Sequence, residues 1–207
     1  MNKTFLDNFV ILYSENKNKN FIELLQTVNN EPSTKNVWSI SSLKNIRDTD
    51  HIVNQKVINL PSEDNFLLVP NLVISEINLV ANNLGQSIKK SNLKSELIDY
   101  AFPFLYDYIK EYELSIKKIK NFTIYEQIES SDFHDDLDRD GQKHFYTIVI
   151  ALNDNYAGGE FQFENRVGNE IISLSAGDVL IYPANKNYRH RELRVTSGTK
   201  YTAIAYF

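Results

Sequence analysis

The spacing of apolar residues along the chain changes near residue 115. Before that point the steps are helical. Leu72, Ile74, Ile77, Val80, Ala81, Leu84 and Ile88 recur mostly three and four residues apart, which predicts a helix over 72–88. Pro70 precedes it, and Ser75 can cap a later start. A second helix is expected from about Leu93 to Leu114. Leu93, Leu97, Ala101, Phe104, Leu105, Tyr108 and Tyr112 form its stripe, and Pro103 is expected to kink or split it. The first 65 residues are less regular. FIELLQTV (21–28) reads as a short amphipathic helix, NNEPSTKN as a loop, and 37–40 and 51–60 as strand-like runs.

Beyond residue 115 the period drops to two. Residues 119–128 alternate, HFYTIVIALN (144–153) is rich in β-branched and aromatic residues, and 160–163 alternate strictly. Runs at 171–174, 178–182 and 201–207 complete the set, with Gly158–Gly159, Gly168, Gly177 and Gly198 between them. Many short strands separated by glycine turns predict a mainly β protein with supporting helices (α+β), built as a jelly roll or double-stranded β-helix. One domain is expected over 1–207, with 1–115 a mixed and helical support region and 116–207 the jelly-roll core.

Composition narrows the chemistry. The 207 residues contain no cysteine, which excludes disulfides, thiolate nucleophiles and cysteine-ligated zinc or iron–sulfur centres. The formal net charge of -5 argues against a nucleic-acid partner. No apolar run approaches the length of a membrane span, and the N-terminal apolar run is too short and interrupted for a signal peptide, so a cytoplasmic protein is expected.

Ligand chemistry concentrates in FHDDLD, residues 133–138. In a strand, His134 and Asp136 point to one face and Asp135 to the other. Of the remaining histidines, His51, His144 and His190, the last follows a β-run in the polar loop NKNYRHRE. A jelly roll can seat it opposite His134. Two histidines and a carboxylate leave three positions open on an octahedral Fe(II); the same set can hold zinc with a water. Lys200 opens the otherwise uncharged strand KYTAIAYF. If buried it needs a partner, for which a dicarboxylic cosubstrate would serve; the alternative is an exposed first strand residue.

From about Tyr125 to Phe207 the chain resembles the iron- and 2-oxoglutarate-dependent dioxygenases of the prolyl 4-hydroxylase type. The resemblance rests on FHDDLD, YTIVIALND, YAGGEFQF, SLSAGDVLIYPA, YRH and RVTSGTKYTAIAYF, in that order. It implies that His134, Asp136 and His190 ligate Fe(II), and that Lys200, ten residues beyond His190, holds the distal carboxylate of 2-oxoglutarate. It further implies that Tyr125 lines the pocket, that Thr147 faces the cosubstrate and that Thr202 shares the face of Lys200. Gly158 and Gly159 match a turn at the pocket rim. Two positions depart from the family pattern. Ala151 stands where many members have a cosubstrate-binding tyrosine, for which Tyr146 or Tyr182 could substitute. Arg194 stands where proline is usual.

The implied activity is hydroxylation of an unactivated C–H with O2, giving succinate and CO2, with ascorbate as a candidate reductant. A prolyl residue in a peptide or protein comes first as substrate; a free amino acid or small natural product is the alternative. Tyr188, Arg189, Arg191 and Arg194 form either a recognition surface near His190 or a solvated loop. A cupin-like small-ligand or sugar binding module and a zinc hydrolase are the rival classes, the latter without any H-E-x-x-H motif.

Overall fold

The computed structural model describes residues 1–14, 38–41, 55–59, 88–115, 123–127, 130–137, 145–164 and 171–207, with backbone only at 38–41, at 55–59, in the first turns of the helix and at 123, 124 and 126. The expected helix over 72–88, and His51, Asp138 and His144, lie outside the described residues.

The strands, in chain order, are β1 (Asn2–Asp7), β2 (Val10–Ser14), β3 (Trp38–Ser41), β4 (Gln55–Asn59), β5 (Thr123–Gln127), β6 (Tyr146–Ala151), β7 (Ala157–Gly158), β8 (Phe161–Phe163), β9 (Ile171–Ile172), β10 (Val179–Pro183), β11 (His190–Glu192), β12 (Val195–Ser197) and β13 (Lys200–Tyr206). One described α-helix, α1 (Ile88–Glu111), precedes β5, and a 3-10 turn (Lys186–Tyr188) precedes β11. An eight-stranded sheet runs β1-β2-β10-β6-β13-β5-β4-β3, opposed by the small sheets β11-β8-β9 and β12-β7. The paired strands are antiparallel throughout. This is the jelly-roll arrangement that the strand spacing predicts.

Strand parity divides the apolar residues into two cores. Ile148, Ile150, Val179, Ile181, Ala203 and Ala205 face α1, where they meet Leu97, Ala101, Phe104 and Tyr108. Val149, Ala151, Leu180 and Tyr182 face the other way, onto Phe161, Phe163, Ile172 and Leu174 of the small-sheet side. Because β6 and β10 are covered on both faces, they read as continuous apolar runs.

α1 continues through Pro103 as one helix instead of splitting there. Pro103 and Asp99, whose carbonyl loses its usual amide partner, are both exposed. Water can therefore satisfy the freed carbonyl. The N-terminal hairpin β1–β2 is an element the sequence reading left unassigned. Val10, Ile11 and Tyr13 are fully buried, and β2 extends the large sheet beside β10. The hairpin is bound to α1 by polar contacts. Tyr13 Oη donates to Asp107 Oδ2 at 2.9 Å, Tyr108 Oη donates to the Phe9 carbonyl at 2.8 Å, and Lys3 Nζ pairs with Asp107 and Glu111. Burial, reinforced by the Asp107 carboxylate, pushes the Tyr13 phenol far above its ordinary value.

Candidate metal and cosubstrate site

The site lies between the large sheet and β11. His134 reaches it by a route other than the expected strand. It forms an isolated antiparallel bridge with His190, with amide-to-carbonyl bonds of 2.9 Å in both directions. The chain then bends, and the Asp136 amide donates to the Ala184 carbonyl at 3.1 Å. His190 is not in a loop but is the first residue of β11. The reciprocal bridge fixes the two imidazoles side by side, with ring centroids 4.5 Å apart.

Ligand atoms of His134, Asp136 and His190 lie within 4.8 Å of one another. Asp136 is almost fully buried. One of its oxygens is 4.0 Å from His134 Nε2 and the other 3.6 Å from His190 Nε2. His134 Nδ1 lies 2.8 Å from the Asp132 carbonyl, and His190 Nδ1 lies 3.1 Å from the Tyr188 carbonyl. A carbonyl can only accept, so each Nδ1 carries a proton and each Nε2 is the ring nitrogen turned toward the Asp136 carboxylate. Two imidazoles and one carboxylate in this disposition fit a divalent first-row metal. Asp135 is outside the cluster; its carboxylate accepts from the Leu137 amide at 3.2 Å.

Two hydroxyls hold the Asp136 carboxylate. Thr147 Oγ1 donates to Oδ2 at 2.8 Å, and Tyr182 Oη lies 3.1 Å from the same oxygen and 3.2 Å from His190 Nε2. Thr147 was expected to face a cosubstrate; in the structure it orients the carboxylate. Of the two tyrosines considered as substitutes at Ala151, neither is placed beside it: Tyr182 Oη is engaged at Asp136 and His190. Tyr182 points inward, whereas Tyr146 packs on the helix side, near Tyr108 and stacked on Phe207. The His190 ring stacks on Phe161 at 4.8 Å, so its apolar wall comes from β8.

Lys200 is 1% exposed, which removes the reading of an exposed first strand residue. Its Nζ donates to Glu192 Oε1 at 2.8 Å and to the Gly159 carbonyl at 2.6 Å. Glu192, which the sequence reading passed over, is therefore the charge partner in this structure, in place of a dicarboxylate. His190 and Glu192 share the inward face of β11, with Arg191 between them turned outward. Thr202 stands opposite both Ala151 and Tyr125 in the sheet, and Lys200 opposite Gln127. Thr202 Oγ1 is buried with no hydrogen-bond partner among the described residues, and Tyr125 is half-buried on the same face. Gly158 and Gly159 both hold positive φ, at 74° and 71°. A Cβ on Gly158 would lie 2.3 Å from the Arg194 carbonyl oxygen, so the rim turn requires glycine there.

The arginines near His190 are engaged. Arg189 pairs with Glu164 and donates to the Phe133 carbonyl. Arg191 lies 4.5 Å from the Phe133 ring centroid and donates to Gln162 Oε1 at 2.9 Å. These contacts brace the segment carrying His134 against β8 and β11.

An inward two-histidine, one-carboxylate cluster at one end of a jelly roll, with a buried cation further along, is a donor set that could hold a metal ion. Comparison with known proteins shows what this arrangement is similar to. Residues 121–207 match the model of the 2OG-Fe(II) oxygenase superfamily, a family named for its use of Fe(II) and 2-oxoglutarate. A PKHD-type hydroxylase from Delftia acidovorans is 37% identical over 58 residues, covering 28% of this chain and 25% of the relative. The chain thus spans about a quarter of the length of the curated relatives it matches. Among solved structures, a prolyl-4-hydroxylase from Pseudomonas putida aligns with a TM-score of 0.60 at 10% identity, over 96% of this chain and 91% of that one. A prolyl hydroxylase from Trichoplax adhaerens, solved with a hypoxia inducible factor peptide fragment, aligns with a TM-score of 0.61 at 15% identity, over 96% and 83%. These structures show that the fold is shared. No described helix is long and apolar enough to cross a membrane.

Proposed function

We propose that this protein is an Fe(II)- and 2-oxoglutarate-dependent hydroxylase acting on an unactivated C–H bond, with a prolyl residue in a peptide as the first candidate substrate. The observation that carries this reading is the convergence of His134, Asp136 and His190 with both Nε2 atoms turned toward the carboxylate. These three residues would hold Fe(II). When bound, the metal and 2-oxoglutarate supply the oxidising chemistry: O2 is reduced, 2-oxoglutarate goes to succinate and CO2, and one oxygen atom enters the substrate.

The protein's own residues supply placement and dryness. Thr147 and Tyr182 fix the Asp136 carboxylate, and the Asp132 and Tyr188 carbonyls fix the imidazole tautomers. Phe161, Phe163, Val149 and Leu180 exclude water from the space between the sheets. Lys200 and the unpartnered Thr202 hydroxyl would receive the distal carboxylate. The prolyl assignment draws its support from the solved prolyl hydroxylases that share this fold; a free amino acid or small molecule is the alternative substrate class.

The test is an anaerobic titration of Fe(II)-loaded protein with 2-oxoglutarate, followed by visible absorbance. A metal-to-ligand charge-transfer band that disappears in His134→Ala is the expected result. Iron binding without such a band would overturn the cosubstrate assignment and favour a small-ligand binding module. Peptide and amino-acid panels followed by succinate release would then test the substrate.

A further inference from the structure

The buried ammonium of Lys200 already has a carboxylate partner. Glu192 Oε1 lies 2.8 Å from Nζ and the Gly159 carbonyl oxygen 2.6 Å, so two of the three N–H donors are used. The Glu192 side chain is 10% exposed and that of Lys200 1%, which places the pair in a region of weak solvent screening. A second carboxylate arriving at Lys200 meets a neutralised cation and the negative charge of Glu192. Across the sheet, Ala151 offers no hydroxyl to help hold such a group, and Thr202 Oγ1, on the same face, is buried without a hydrogen-bond partner among the described residues.

Resting on the oxygenase reading above, we propose that Glu192 is a specificity-determining residue that competes with the distal carboxylate of 2-oxoglutarate for Lys200, so that the cosubstrate binds only by displacing it. Two consequences follow. Affinity for 2-oxoglutarate is held down by an internal competitor. Discrimination against a 2-oxo acid lacking the distal carboxylate is correspondingly weak, because such a ligand leaves the Lys200–Glu192 pair intact. A purely structural role for Glu192 predicts neither.

The experiment is anaerobic calorimetric titration of the Fe(II)-loaded full chain with 2-oxoglutarate and, separately, with 2-oxopentanoate, which keeps the five-carbon oxo acid but ends in a methyl group. In Glu192→Gln the affinity for 2-oxoglutarate is expected to rise roughly tenfold or more, the weight of one charge-assisted hydrogen bond, while that for 2-oxopentanoate changes by less than about twofold. If Glu192→Gln does not fold, Glu192→Asp gives the same readout. It keeps the charge but withdraws it by one methylene, and a gain of severalfold for 2-oxoglutarate alone is expected. An unchanged or weakened affinity for 2-oxoglutarate in the variant that folds, with 2-oxopentanoate unaffected, overturns the competition and leaves the oxygenase reading standing. Failure of the wild type and both variants to bind either oxo acid while retaining Fe(II) overturns both.

Discussion

Thr147→Val is the sharpest probe of how the metal site is built. The substitution keeps the side-chain volume and removes one donor. Thr147 is fully buried, and its hydroxyl makes the shorter of two bonds to Asp136 Oδ2, at 2.8 Å against 3.1 Å for Tyr182. The single phenolic hydrogen of Tyr182 is shared between Asp136 and His190 Nε2, so it replaces the lost donor only in part. A buried carboxylate deprived of one hydrogen bond costs about 1–3 kcal/mol. For a chain of this size that lowers the melting temperature of the metal-free protein by roughly 2–10 °C. A ligating carboxylate that loses its orienting partner typically weakens metal binding by about 10–100-fold. Mn(II), a redox-inert stand-in for Fe(II), gives the affinity by calorimetry, and a thermal melt gives the stability. Tyr182→Phe is expected to lose less, and the double variant more than the sum, because either donor compensates for the other. Unchanged Mn(II) affinity in Thr147→Val would refute the carboxylate-orienting role.

Three further outcomes are expected. Asp136→Ala abolishes succinate release and iron retention, whereas Asp135→Ala, which removes only the bond from the Leu137 amide, spares most of both; equal losses would sink the assignment. Gly158→Ala forces a Cβ to 2.3 Å from the Arg194 carbonyl oxygen and 2.9 Å from the Thr196 amide at a φ of +74°, so denaturant unfolding should show a loss of about 2 kcal/mol or more, and a wild-type midpoint would contradict it. Tyr156 is pushed up to about 12, first by burial and then by the Glu192 charge. An unfolded tyrosine ionises near 10, so stability is fully present below about 10 and falls as pH rises toward the folded value. Tyr156→Phe should flatten that fall, and an unaltered slope of unfolding free energy against pH would show that Tyr156 has no part in it.

The three clustered residues were legible because period-two parity and residue chemistry coincide in FHDDLD and YRH. The route by which His134 enters the site was not. A bridge to His190 followed by a bend depends on partners 56 residues away, and no local pattern encodes it. Pro103 was legible as an anomaly, but its consequence depended on which side of α1 met solvent. The hairpin β1–β2 left a signal in VILYS, whose unbroken apolar run marks a strand covered on both faces. Glu192 was missed because NKNYRHRE reads as a solvated loop. The parity argument that joined His134 to Asp136 applies equally to His190 and Glu192, and would have placed a carboxylate beside the expected cosubstrate cation.

The interior face of the large sheet keeps the His134–Asp136–His190 cluster and the buried Lys200 apart. Across β10 and β6, Tyr182 stands opposite Thr147, at the metal end. The next inward row is apolar, with Leu180 opposite Val149 and Val149 opposite Ile204 of β13. Beyond it come Ala151, Thr202 and Tyr125, then Lys200 opposite Gln127. Inward rows are about 6.5–7 Å apart, so an apolar band separates two polar stations. Glu192 reaches the far station from the opposing sheet, through β11. The strand that positions His190 thus also delivers the group competing for Lys200, so a shift of β11 that strengthens one contact must alter the other. A variant that loosens β11, such as Gln162→Ala, which removes the hydrogen bond from Arg191 and leaves its contact with the Phe133 ring, is therefore expected to change metal affinity and 2-oxoglutarate affinity together. A change in one alone would show that the two ends of the barrel are set independently.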